Sequence, residues 1–177
     1  MAYVEDRASI IAGQASALFL GGGITRVYVD NAMQSDLYGM EAAAVALDRS
    51  QREAVRNLAF DLRTDHARSR QALRNLAEAE APNVQTAGGL DRRRRGLVSN
   101  LRSAHSREFD QVYLNQVVAS LEEGVALHRA FAHHAGTPGL ARYASRRAFR
   151  LRARLSQAEE IRTNLEQEQA YERSMRP

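Results

Sequence analysis

The chain has no cysteine, no tryptophan and only 3 prolines among its 177 residues, and every one of its 25 basic residues is arginine, so lysine is missing as well. Without cysteine there can be no disulfide, no thiolate nucleophile and no thiolate-held metal. Without lysine there is no Schiff-base chemistry, no lysine general base and no phosphate-loop lysine. Glycine-rich phosphate loops and strand–turn–helix nucleophile elbows are missing too. Aromatic residues are scarce at 6%, which suits alanine- and leucine-lined helix packing better than a β-sandwich. No run of about 20 apolar residues exists that could span a bilayer as a helix. The longest apolar stretch, Ile10 to Ile24, is broken by Gln14 and by Gly21, Gly22 and Gly23.

What remains is helical periodicity. A net charge of +4 favours solubility and weak attraction to anionic surfaces without naming a partner. The chain start carries Glu5 and Asp6 against Arg7, the wrong sign for a secretory signal, so the reading is a short N-terminal helix lying against the rest. From Arg26 to Asp48, Val29, Met33, Leu37, Met40, Ala44 and Leu47 recur at three- and four-residue steps, with Asp30 and Asn31 expected in the first turn. Ser50 and Glu53 then suggest a capping box for a second helix carrying Val55, Leu58, Leu62, His66, Ser69, Leu73 and Leu76. The tight turn between the two predicts antiparallel neighbours.

Pro82 to Gly89 is the clearest break. Asp91 can cap a shorter helix with Leu90, Leu97, Leu101 and Ala104 on one side. Phe109 to His134 reads as the next long helix, with Leu114, Val118, Leu121, Val125 and His128 as its seam and Phe109, Tyr113, Val117, Leu127 and Phe131 widening it. Gly136 to Gly139 is a hinge, followed by a last helix with Leu140, Ala144, Ala148, Leu151, Leu155, Ala158, Ile161 and Leu165 inward. Its Glu/Gln-rich end is expected to fray. The fold class is therefore all-α: a four-helix, ferritin-like bundle with a short N-terminal helix and a short extra helix in the central connection. The expected division is a helical lead over 1–24, the bundle over 25–166 and a polar tail over 167–177.

Chemistry in a bundle sits on inward polar side chains. His66 lies in a seam with Asp65 beside it, Glu41 follows Met40 at the edge of the first face, and His128 shares the stripe of Leu121. Glu41, Asp65, His66 and His128 are thus candidate ligands for a divalent metal such as iron, manganese or zinc. The paired Glu-x-x-His of carboxylate-bridged di-metal bundles occurs nowhere, and the preferred reading is no cofactor and no enzyme.

The order Tyr28-Val29 to Ala32, Ser35 to Ala42, Asp48-Arg49-Ser50, Ala54 to Ala59, Asp65-His66, Phe109 to Gln116 and His128 to Phe131 resembles a bacterial family, the domain of unknown function 4142, over roughly Val27 to Leu165. The resemblance implies a ferritin-like bundle of the periplasm or cell envelope with no established enzymatic activity, whereas a chain lacking an export signal would be cytoplasmic. It also implies a histidine at the place of Leu121 and another at that of Arg154. Neither is present here, which leaves Glu41, Asp65 and His66 of the inward set, with His128 two turns from Leu121 as a stand-in.

Charge forms a second constellation. Arg92, Arg93, Arg94 and Arg95 fill the first turn of the short helix, where positive charge opposes the helix dipole. Arg142, Arg146, Arg150 and Arg154 stand four apart as one ridge, with Arg147 and Arg152 nearby and no acidic residue from 142 to 154. Together they are a candidate anion patch, although Glu122, Glu123, Glu159 and Glu160 could neutralise it. Nucleic acid is disfavoured, since only Tyr143 and Phe149 interleave as stacking platforms and no recognition-helix pair is present. The partners that remain are an unidentified protein, an anionic partner or a second copy of the chain.

Overall fold

A computed structural model describes residues 23–84, 88–133 and 136–175. The expected helix ahead of Ile24 lies, up to residue 22, outside the described residues. Every regular element described is a helix, in the order α1 (Ile24–Arg49), α2 (Glu53–Glu80), α3 (Arg92–Ser103), α4 (Phe109–Phe131) and α5 (Pro138–Ser174). Among the described residues no helix is long and apolar enough to cross a membrane.

The four long helices pack side by side, each against antiparallel neighbours. α1 lies on α2 and α4, and α5 lies on α4 and α2. The start of α1 meets the end of α4 through Tyr28 and His128, and its middle meets the first half of α4 through Tyr38 and Gln116. Likewise the end of α2 meets the start of α5 through Glu80 and Gly139. Since α2 ends at one pole and α4 begins at the other, residues 81–108 must travel the length of the molecule. α3 makes part of that journey, packed on α1 and α4.

Burial follows the predicted stripes closely on α2, α4 and α5, and less so on α1. There Ala44 is exposed and Leu37 and Leu47 are only partly covered, while Tyr28, Ala32, Asp36, Tyr38, Ala42, Ala43 and Ala46 are buried. α1 has neighbours on three sides, so its covered surface is wider than one hydrophobic stripe. The core falls into two apolar clusters. One includes Tyr28, Met33, Leu73, Phe131 and Leu140; the other includes Tyr38, Leu58, Leu101, Tyr113, Leu121 and Leu151.

Helix ends are secured mostly from elsewhere in the chain. Ser50 does not cap α2: the helix starts after Arg52 with no side-chain cap, and Ser50 instead accepts from the Arg52 amide at 3.2 Å. Asp30 and Asn31 fall outside the first turn because α1 begins at Ile24. Asp91 caps α3 as expected, accepting from the Arg94 amide at 2.7 Å. At the other end of α3, Arg49 donates to the carbonyls of Leu101, Arg102 and Ala104 at 2.6–2.9 Å while lying over the Phe109 ring. Buried Gln34 holds the crossover by donating to the Gly89 carbonyl at 2.8 Å and accepting from the Asp91 amide at 2.9 Å. α5 continues through the Glu/Gln-rich stretch to Ser174.

The N-terminus of α5 has no cap of its own at Thr137. Glu80, the last residue of α2, supplies one, accepting from the Gly139 and Leu140 amides at 2.8 and 3.0 Å. A Cβ on Gly139 would overlap that carboxylate, so glycine makes the approach possible. The arrangement pairs a negative charge with the positive end of the helix dipole. Glu80→Ala should therefore lower stability by about 1–2 kcal/mol in urea unfolding, with Glu80→Gln losing less. Equal midpoints for wild type and Glu80→Ala would show that the cap contributes nothing.

Candidate functional site

Between the two apolar clusters lies a polar layer contributed by all four long helices. Asp36 comes from α1, His66 and Ser69 from α2, His128 from α4, and Tyr143 and Arg147 from α5, all buried. Each stands on an otherwise apolar face. Asp36 is three residues after Met33 and seven before Ala43, and Arg147 is three after Ala144 and four before Leu151.

Asp36 is the hub. Its Oδ1 lies 2.8 Å from His66 Nδ1 and accepts from Arg147 Nη2 at 3.1 Å. Its Oδ2 accepts from the Ser69 hydroxyl at 2.6 Å. With the Ser69 proton so committed, the Tyr143 hydroxyl is the donor across the 2.6 Å contact between the two oxygens. Arg147 Nη2 also lies 3.0 Å from His66 Nδ1, which accepts from it when the ring hydrogen is on Nε2 and donates to Asp36 when it is on Nδ1. Gly39 makes room for this ring, since a Cβ there would overlap the imidazole. Burial alone would raise the Asp36 pKa. The hydrogen bond with His66, the charges of Arg147 and His66, and the Ser69 hydroxyl outweigh it and hold the carboxyl below its ordinary value.

His128 belongs to the same layer but has a different partner. Its Nδ1 lies 3.0 Å from the Tyr28 hydroxyl, and its ring packs edge-on against those of Tyr28 and Tyr143. Burial pushes its pKa down to about 3, assisted by the charges of Arg147 and His66 and opposed by that of Asp36. Burial also raises the Tyr28 and Tyr143 hydroxyls well above their ordinary values. With the Tyr28 phenol as donor, the neutral His128 ring carries its hydrogen on Nε2.

The sequence-derived ligands do not converge. Glu41 sits half-exposed, 3.8 Å from Arg102. Asp65 is bonded to Arg154 at 2.8 Å. His66 joins Asp36, a residue outside the four sequence-derived candidates, and His128 joins Tyr28. Among the described residues no group of three or more His, Cys, Asp or Glu side chains is placed to hold a metal ion. Both Asp36 oxygens are engaged, and a fixed guanidinium already supplies the positive charge. The order of contacts is also unlike a hydrolytic relay. The carboxylate stands between serine and histidine, so the imidazole does not receive the Ser69 proton.

Of the eight arginines in the candidate anion patch, three pair with carboxylates and a fourth is tied to a backbone carbonyl. Arg93 pairs with Glu123 at 2.6 Å, buried Arg94 pairs with the partly exposed Asp91, and Arg95 donates to the Leu90 carbonyl. Arg154 bridges Asp61 and Asp65, both at 2.8 Å. Arg92, Arg142, Arg146 and Arg150 are exposed. Phe149 is exposed as well, but Tyr143 belongs to the core.

Residues 14–161 match the family model described as Domain of unknown function (DUF4142). The chain belongs to that family. No curated protein and no solved structure matches it. The two positions where the DUF4142 resemblance implies histidine are occupied in ways that suit this chain's packing: Leu121 is buried in the larger apolar cluster, and Arg154 ties α5 to two aspartates of α2.

Two expectations follow from the polar layer. Removing one partner of a buried ion pair strands the other, so Asp36→Asn and Arg147→Met should each cost about 3–5 kcal/mol. The double variant should cost clearly less than the sum of the two, whereas strict additivity in urea unfolding would mean the pair is not coupled. The second concerns pH. With a folded pKa of about 3 against an ordinary 6.5, His128 takes up a proton in the unfolded chain that the folded chain refuses. Stability should fall as pH drops below about 6.5, by about a kcal/mol per pH unit. The depressed carboxyl of Asp36 adds a loss only at lower pH, below its ordinary 3.8. His128→Gln should flatten the slope between pH 6 and 4, and an unchanged slope would exclude His128 as its source.

Proposed function

We propose that this member of the family is a non-enzymatic, ferritin-like helical scaffold, envelope- or stress-associated, acting through structural support or interaction. The connectivity supports the ferritin-like reading: two antiparallel pairs joined by one long crossover is the route such bundles take. The observation that carries the functional reading is the position of Arg147. In a metal-binding bundle, carboxylates and imidazoles converge on a cation from facing helices. Here one carboxylate and one imidazole converge on a guanidinium covalently part of α5. The charge balance of the interior is thereby built into the chain, and Asp36 keeps no oxygen without a partner. The exported setting is supported by family membership, and the scaffold role by an interior whose polar groups are used to hold helices together.

The deciding experiment is thermal unfolding of metal-stripped protein titrated with iron, manganese or zinc. A ligand that binds only the folded state adds about 2.7 kcal/mol at 100 times its dissociation constant. We expect no saturable rise in Tm with any of the three. A saturable rise that disappears in His66→Ala would replace this reading with that of a working metal bundle.

A further inference from the structure

Part of the polar layer lines a surface cleft. Between α2 and α5 a cleft of about 310 Å³ opens directly over it, with buried Ser69, Tyr143 and Arg147 forming its floor. Its rim carries Arg68 from α2 and Arg146 and Arg150 from α5, all exposed. Asp65 is the only acidic residue in the lining, and its carboxylate is bonded to Arg154. Among the described residues neither Arg68, Arg146 nor Arg150 has an ion-pair partner. The buried Nε of Arg147 also donates to nothing among the described residues.

This arrangement is unfavourable in itself. Arg146 and Arg150 are like charges four apart on one helix, which weakens a helix by a few tenths of a kcal/mol, and Arg68 brings a third charge to the same opening. Local stability does not account for three uncompensated guanidinium groups around one concavity. A bound dianion does. Guanidinium forks match phosphoryl oxygens two at a time, and a tetrahedral dianion can accept from several directions together, which a single planar carboxylate cannot. The volume fits a small molecule rather than a polymer.

We propose that the α2–α5 cleft is a binding site for a small phosphoryl dianion, either inorganic phosphate or a small phosphate monoester, held by Arg68, Arg146 and Arg150. The site is independent of the scaffold reading, since none of the three rim arginines takes part in the Asp36 hydrogen-bond network.

Isothermal titration of the full chain at fixed ionic strength tests this, with inorganic phosphate, glycerol 3-phosphate, succinate and a single-stranded oligonucleotide as probes. One saturable site is expected for phosphate or for the ester, with succinate at least tenfold weaker. Tighter binding of the ester assigns the source as an organophosphate, and equal or weaker binding assigns it as free phosphate. The double variant Arg146→Gln/Arg150→Gln should bind at least tenfold more weakly at unchanged helicity. Arg142→Gln/Arg152→Gln, which removes the same charge from the same helix outside the cleft, should bind like wild type. Equal weakening in both doubles would overturn the site in favour of diffuse charge attraction. So would the absence of saturable binding by phosphate and ester alike, or binding of the oligonucleotide alone.

Discussion

The ion pair between Asp36 and Arg147 is the constraint on which the rest of the interior is arranged. Two charges removed from water are costly unless they meet at short range and have their remaining hydrogen-bonding capacity met. Here they meet at 3.1 Å on diagonally opposed helices, and α2 fills the gap with His66 and Ser69. Apolar contacts above and below this layer tolerate sliding, because one leucine can replace another in a groove at modest cost. A buried carboxylate tolerates none, because a displacement of one helical turn would leave it facing alkyl groups. The layer therefore fixes the relative height of α1, α2 and α5, and the Tyr28–His128 contact extends that registration to α4.

The ends of the helices repeat the same logic in weaker form. Glu80, Arg49 and Gln34 each complete the backbone of a distant segment rather than their own. Such contacts tie a pole of the structure to the crossover or to the neighbouring helix, and they set where each helix may begin. A chain with only 3 prolines has few covalent stops. Its helix boundaries depend correspondingly more on partners brought in by folding.

Much of the helical framework was legible in the sequence. The seams of α2, α4 and α5 follow a spacing that any packing arrangement would bury, and Asp91 sits where a local cap must sit. His66 and His128 were recognisable as inward because they interrupt those seams. Their partners were not. Asp36 and Arg147 occupy core-facing positions too, yet a charged residue on a stripe reads as its solvated edge until the opposite charge is seen across the bundle. The ridge spacing of Arg142 to Arg154 was visible as a row of four. It could not separate Arg154, tied to two aspartates of α2, from Arg146 and Arg150, which stand over an open cleft.

By itself, the sequence determined the all-helical class, the places and approximate lengths of the five described helices, the antiparallel pairing of α1 with α2 across a tight turn, and the exclusion of thiol and lysine chemistry. These follow from local periodicity and composition, which one segment carries alone. Only the tertiary structure decided which polar groups meet, that a guanidinium neutralises the interior carboxylate, and that Arg68 of α2 and Arg146 and Arg150 of α5 face one cleft. Those facts depend on the rotation and height of each helix against its neighbours. Both are settled by contacts between residues 30 to more than 100 positions apart, such as His66 with Asp36 and Arg147 with Asp36.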